Sequence, residues 1–372
     1  MSNEDVVNDL QYPSTDASPE YDFQDGDARD LPVDDDSVDL IVTSPPYYQK
    51  RDYGHENQIG QEPTPEEYVG SLMECLEEWE RVLRDTGSIF LNLGDTYKNR
   101  SRMGVPWKVM NAARDRHWRV RNEIVWHKPN GVPTSARNRF TGRHETIFYL
   151  TPPGKDYYFD KFGYESCYED PIDVWEITHD QNDTHLAPYP SDLVERCLIA
   201  ACPPAVCAEC GQPRERILEE SLTELNPDRY QSQRAMEIYE TSDLNEEHIK
   251  AVRATGISDA GKGREIQNGS GGNTSDIERL AKEAKEVLGG YFREFTFSQV
   301  KETAGWTECD CESETIPGRV LDPFCGSGTT VDAAAELGLS GVGVDLDPPQ
   351  RDSNLSYYDR SKVTTDAKFG LD

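Results

Sequence analysis

Residues Val320 to Asp345 constrain the fold more than any other stretch of this chain. Val320-Leu321-Asp322 reads as a short buried strand, Pro323 stops it, and Phe324-Cys325-Gly326-Ser327-Gly328-Thr329-Thr330 follows as a glycine turn. Val331 to Gly338 has helical composition, and Gly341-Val342-Gly343-Val344-Asp345 is a second strand closed by a carboxylate. Strand, glycine turn, helix, strand is the order of an α/β sheet that binds ligands at the carboxyl ends of its strands. Gly326 and Gly328 let the backbone approach a ligand closely, and the helix N-terminus favours a negative group. Asp345 stands about 20 residues beyond the turn, where a ribose-binding acid is expected.

A second stretch points to a reaction. Val38 to Val42 is an apolar run bounded by polar residues, hence a buried strand, and it runs into Thr43-Ser44-Pro45-Pro46-Tyr47. Neither proline has an N–H for a ladder, each fixes φ near −65°, and Ser44 is held extended by the proline after it. The product is a stiff elbow presenting a hydroxyl, a carbonyl and an aromatic ring. It suits the activation of an exocyclic amine of a nucleobase, whose lone pair is delocalised into the ring. The Ser44 hydroxyl and Pro45 carbonyl can accept its two N–H bonds, and Tyr47 can stack on an extruded base.

With both motifs in this order, the chain resembles the β-class amino-methyltransferases of DNA, S-P-P-Y preceding D-P-F-x-G-S-G-T-T. Serine in the first position resembles the N4-cytosine branch rather than the N6-adenine one. Gly26-Asp27-Ala28, Arg143-His144-Glu145 and His185-x-Ala187-Pro188-Tyr189-Pro190 also match. The resemblance implies S-adenosylmethionine as cofactor, held around Asp27, Asp322, Pro323, Phe324, Gly326, Gly328, Thr329 and Asp345, with Ser44, Pro45, Pro46 and Tyr47 catalytic. It implies duplex DNA as substrate and admits a restriction endonuclease as partner. The glycine motif follows the catalytic one, so the expected fold is a circularly permuted Rossmann-like methyltransferase: a mostly parallel seven-stranded sheet with helices on both faces and an inserted lobe. His185 is expected to make a structural hydrogen bond.

Charge gives an opposed signal. The 372 residues carry 70 acidic and 38 basic side chains, a formal net charge of −32, which is the wrong sign for a DNA-binding protein under ordinary conditions. The acids are spread along the chain, as expected of a halophilic host whose salt screens the repulsion. Between Lys98 and Arg143 the balance reverses, with twelve Lys or Arg against Asp115 and Glu123, and Trp107, Trp118, Trp126 and Phe140 interleaved. Such a stripe predicts phosphate contacts. The candidates are Lys98, Arg100, Arg102, Arg137, Arg139 and Arg143, with Arg51 on the polar loop Gln49–Gln61 over the target base.

Residues 1–20 and 348–372 are polar and expected to be disordered tails. No secretory signal or apolar membrane span occurs, so a cytoplasmic chain with reduced thiols is expected. The methyltransferase pattern covers 21–201 and 317–347. Residues 202–316 interrupt it as a candidate target-recognition lobe, with Lys262 and Arg264 as candidate contacts. Cys207-x2-Cys210 opens this insert and Cys309-x-Cys311 closes it, a donor set for tetrahedral zinc if the two ends meet. Cytosine-N4 methylation of DNA is the expected activity. N6-adenine methylation and a non-catalytic DNA-binding module on the same fold remain the alternatives. C5 methylation needs a Pro-Cys nucleophile, which the chain lacks.

Overall fold

The computed structural model describes residues 10–131, 138–154, 156–168, 171–178, 189–221, 225, 229–255, 275–297 and 300–349. Arg137, His185, Lys262, Arg264 and residues 350–372 lie outside them. Two compact units emerge, one formed by 1–215 with 307–372 and the other by Arg216–Trp306.

The first unit is built on eight strands: β1 (Tyr21–Asp25), β2 (Val38–Thr43), β3 (Leu83–Leu93), β4 (Arg119–His127), β5 (His144–Thr151), β6 (Val174–Glu176), β7 (Arg319–Asp322) and β8 (Ser340–Asp345). Their order is β1-β8-β7-β2-β3-β5-β4-β6. Pairing is parallel except where β5 runs against β3 and β4. The sheet has one strand more than the seven expected; the short β6 on the β4 edge completes it.

Alternation along the strands explains the two layers of core. On β2, Ile41 faces one side while Leu40 and Val42 face the other; on β3, Ile89 and Leu91 oppose Phe90 in the same way. The first face is covered by α1 (Pro65–Val82) and α2 (Val105–Asp115), the second by α3 (Ser191–Ala201) and α4 (Thr329–Glu336). Helix α1 starts on a capping box. The Thr64 hydroxyl accepts from Glu67 N–H, and the Glu67 carboxylate accepts from Thr64 N–H at 3.0 Å.

The topology brings the two motifs together. Strand β7 lies beside β2, with Val320 opposite Leu40 and Leu321 opposite Ile41, so both motifs leave the sheet at one edge. The Thr43 hydroxyl donates to Asp322 Oδ1 at 2.7 Å across that junction. Strand β1 pairs with β8 from Tyr21–Gly341 to Asp25–Asp345, joining early and late chain as the permuted order requires.

Three boundaries differ from expectation. Leu10 is fully buried, Asp16 accepts from and donates to the Thr315 backbone, and Glu20 bridges to Ser340 and Gly341. The segment from residue 10 is therefore bound to the body and is no free tail. At the other end Pro349 still lines the cleft described below, past the expected limit at 347. The insert is also shorter than 202–316, because Ala205–Cys207 pairs antiparallel with Thr315–Pro317 inside the first unit. The second unit has its own small core of Leu225, Ala235, Ile249, Val252, Ala284, Leu288 and Phe295. Among the described residues its helices are Tyr230–Glu240, Glu246–Thr255, Ser275–Leu288 and the short Phe292–Phe297. A ribbon of Arg216–Ser221 with Val300–Trp306 completes it.

Candidate active site

A cleft of about 920 Å³ opens at the carboxyl ends of β1, β8, β7, β2 and β3, within the size range of small-molecule sites. Ser44, Pro45, Pro46 and Tyr47 line one part of it, and Asp27, Phe324, Gly326, Thr329 and Asp345 another. One cavity thus joins the elbow to the glycine turn.

The elbow is held from beneath. Tyr68 on α1 donates its hydroxyl to the Pro46 carbonyl at 3.0 Å. Gly94 makes room for Tyr47: a Cβ there would stand 2.3 Å from Tyr47 Cε2. The Tyr47 hydroxyl donates to Glu145 Oε2 at 2.8 Å, and the Ser44 hydroxyl lies 3.4 Å from it. Asn92 Nδ2 reaches Tyr47 Oη at 2.9 Å, Ser44 Oγ at 3.2 Å and Glu145 Oε2 at 3.3 Å. Lys128 closes the array on Glu145 Oε1 at 2.6 Å, its ammonium 3.9 Å from the Trp126 ring centre. Burial, and then Glu145, pushes the Tyr47 phenol well above its ordinary pKa, so it serves as a neutral donor. Asn92 is only 3 % exposed, and its Oδ1 has no partner among the described residues.

The glycine turn has a different logic. Gly326 and Gly328 both adopt positive φ, and Gly326 N–H donates to Asp345 Oδ2 at 2.9 Å. Asp345 thereby clamps the turn while facing the cleft. Asp27 is paired with Arg29 at 2.6 Å, a contact that holds its carboxyl below the usual range. Asp322 stands at the inner wall of the cleft. It is 2 % exposed and accepts from Thr43, Phe324 N–H, Thr330 and Tyr189. Asp322 lines the cleft as expected of a cofactor-side residue, and its carboxylate also braces β2, β7, α4 and the approach to α3. Pro323 and Phe324 line the cleft, Phe324 edge-on to Trp79.

The basic stripe divides. Lys98 and Arg100 are exposed on the ribbon Tyr97–Lys98/Ser101–Arg102 and carry no ion pair among the described residues. Arg102 differs from them in pairing through Nε with Asp95 at 2.9 Å and lying over the Trp107 ring. Asp95 also accepts from the N–H groups of Gly104 and Val105, capping α2. Arg139 stacks on Tyr97, and Arg143 donates to the Pro129 carbonyl. Arg51 lines the cleft with Tyr53 and His55 from the polar loop.

Sequence reasoning missed Asn92, Lys128, Gly94 and Arg29 as site residues. Lys128 was counted with the phosphate-facing charges, and Asn92 is a polar residue inside an apolar strand, which was the one available signal. Cys207, Cys210, Cys309 and Cys311 converge as expected, their sulfurs within 4.8 Å of one another, and none of them lines the cleft.

The chain is similar to known proteins. Residues 38–206 and 313–353 match the N6/N4 family of DNA methylases. The type II methyltransferase M.SmaI of Serratia marcescens is 34 % identical over 218 residues, covering 48 % of this chain and 74 % of its own. M.Cfr9I of Citrobacter freundii is 33 % identical over 206 residues, 45 % and 67 % of the two chains. The solved structure of the cytosine-N4-specific PvuII DNA methyltransferase aligns over 92 % of each chain at 14 % identity, with a TM-score of 0.49. The matched residues contain both the elbow and the glycine turn and flank the inserted unit. The chain belongs to the N6/N4 DNA methylase family.

Proposed function

We propose that this chain methylates the N4 amine of cytosine in duplex DNA, with S-adenosylmethionine as donor. The observation that carries the reading is the single cleft lined by both Ser44 and the Gly326 turn. Its glycine-turn end fits the cofactor. Asp27, Asp345 and Asp347 offer carboxylates to a cationic, hydroxyl-rich ligand, and Gly326 and Gly328 hold back no side chain. When bound, S-adenosylmethionine supplies an electrophilic methyl group.

The residues at the other end prepare the nucleophile. Ser44 Oγ and the Pro45 carbonyl accept the two amine N–H bonds, which turns the nitrogen lone pair out of the base plane. As the N–C bond forms, the methyl–sulfur bond breaks with its electron pair left on sulfur. The nitrogen then sheds one proton. Ser44, Tyr47 and Glu145 lie in one hydrogen-bonded line, so each hydroxyl takes one proton and gives one, and the proton ends on the Glu145 carboxylate facing Lys128. The half-buried Tyr47 ring lines the cleft where an extruded base stacks. Lys98 and Arg100 are free for phosphate, and the Arg216–Trp306 unit is the candidate for reading the target sequence. Modification would mask that target from an endonuclease reading the same site. Serine at the head of the elbow favours cytosine over adenine. Zinc has no part in this chemistry, since the cysteines lie outside the cleft.

Tritiated-methyl transfer to duplex DNA, followed by separation of the nucleosides, tests the reading. Label in N4-methylcytosine that disappears with Ser44→Ala supports it. Label in N6-methyladenine overturns the base assignment, and cofactor binding without transfer to any duplex overturns the enzyme.

A further inference from the structure

Four cysteines outside the cleft meet where the chain leaves the first unit and returns to it. Cys207 ends the strand Ala205–Cys207, and Cys210 follows in a tight turn. Gly211 N–H donates to the Cys207 carbonyl at 2.9 Å, and Cys207 N–H to the Gln212 carbonyl at 3.0 Å. Cys309 and Cys311 arrive on the returning segment just before Thr315–Pro317. The two segments are registered by Cys207 opposite Thr315, by Ala208 N–H on the Glu314 carbonyl at 2.9 Å, and by Thr307 N–H on the Glu215 carbonyl at 2.8 Å. All four Sγ atoms fall within 4.8 Å of one another, and all four cysteines are free thiols. Tetrahedral zinc, with Zn–S about 2.3 Å, needs sulfurs about 3.8 Å apart. The cluster is therefore within about 1 Å of that geometry before any adjustment of rotamers.

A second observation concerns charge. Arg214 is 8 % exposed, and its guanidinium lies against the Cys309 thiol. Nη2 reaches Thr315 Oγ1 at 3.4 Å, and among the described residues Nη1 has no hydrogen-bond partner and no carboxylate pairs with the guanidinium. A buried guanidinium with an unsatisfied nitrogen and no carboxylate beside it is costly. Four thiolates around a divalent metal make a net dianion, and that supplies the missing counter-charge.

We propose that Cys207, Cys210, Cys309 and Cys311 bind one structural zinc ion as a tetrathiolate, with Arg214 as its counter-ion. Four protein ligands leave no open coordination position, so the ion is structural and not catalytic. Binding it fixes the spacing of the two segments from which residues 216–306 depart and to which they return, and so couples metal to folding there.

The test uses the full chain, purified under reducing conditions without chelator from zinc-containing medium. Elemental analysis is expected to give about one zinc per chain, lost in Cys210→Ser and in Cys311→Ser and kept in Cys167→Ser. Arg214→Gln is expected to release zinc to a chelator at least tenfold faster, with Arg214→Lys recovering most of the difference. A metal-free wild-type chain whose four thiols react as freely as Cys167 overturns the site, as do two disulfides found by mass spectrometry. Iron in place of zinc overturns the metal assignment. Unchanged release from Arg214→Gln overturns the role of Arg214. The wild-type metal content decides the main point even where a cysteine variant fails to fold.

Discussion

Gly94→Ala is the sharpest perturbation of the elbow, because it adds one carbon and touches no polar group. The new Cβ would lie 2.3 Å from Tyr47 Cε2, 2.5 Å from Cδ2 and 3.0 Å from Cζ. Ordinary contact begins near 3.4 Å, so the ring has to retreat by about 1 Å. It cannot retreat freely, since its hydroxyl is held by Glu145 at 2.8 Å and Asn92 at 2.9 Å. Either the ring shifts and carries Ser44's neighbour with it, or the hydrogen bonds break. A misplacement of about 1 Å at a reacting centre costs on the order of 100-fold in rate, and overpacking of this kind about 1–3 kcal/mol in stability. The assay is kcat/KM for methyl transfer, with cofactor affinity and thermal unfolding measured in parallel. Cofactor affinity should hold, because the glycine turn is untouched. In a Tyr47→Ala background the ring is gone, so adding Gly94→Ala should cost little more. Full additivity of the two losses, or a Gly94→Ala enzyme with wild-type kcat/KM, refutes the idea that Gly94 acts by seating Tyr47.

Asn92→Leu removes the amide whose Nδ2 reaches Tyr47, Ser44 and Glu145; methyl transfer should fall by at least 100-fold while bound cofactor is retained, as separate equilibrium binding would show. Burial raises the Asp322 carboxyl above its unfolded value of about 3.9. The native state then holds that proton more tightly, so its contribution to stability is present below about 3.9 and is lost as pH rises through the raised native value. Unfolding by denaturant at a series of pH values should show that slope reduced in Asp322→Asn. Arg100→Ala should weaken DNA binding and lower the salt slope by about one, whereas Arg102→Ala should lower stability by loosening Asp95 at the start of α2. With a net charge of −32, the unfolding midpoint should rise steeply from low to molar salt, where the Debye length shrinks to about 3 Å; a flat response removes the halophilic assignment.

The parts of this site legible in the sequence are those whose backbone is unusual. Two prolines after an apolar run, or glycines between a strand and a helix, have few conformations open to them, and the chemistry they present follows from local geometry. Their adjacency was legible too, because a permuted order has to return the late strand to the early one, and β7 does lie beside β2. The second layer of the site was not legible. Asn92 faces the cleft from a strand whose neighbours are all apolar, and Glu145 comes from the antiparallel strand β5, opposite Trp126 on β4. Local pattern cannot say that two such residues, 53 positions apart, share one hydrogen bond. Asp322 shows the same limit from the other side. Its place beside the glycine turn marks it as a ligand-facing acid, and it does line the cleft, but nothing local says that Thr43 and Tyr189, reached through the sheet and the approach to α3, also hold its carboxylate. What tertiary structure adds here is direction. The sequence names which groups stand near the cleft, and the packing of neighbouring strands decides which of them turn toward the reacting atoms and which hold the walls in place.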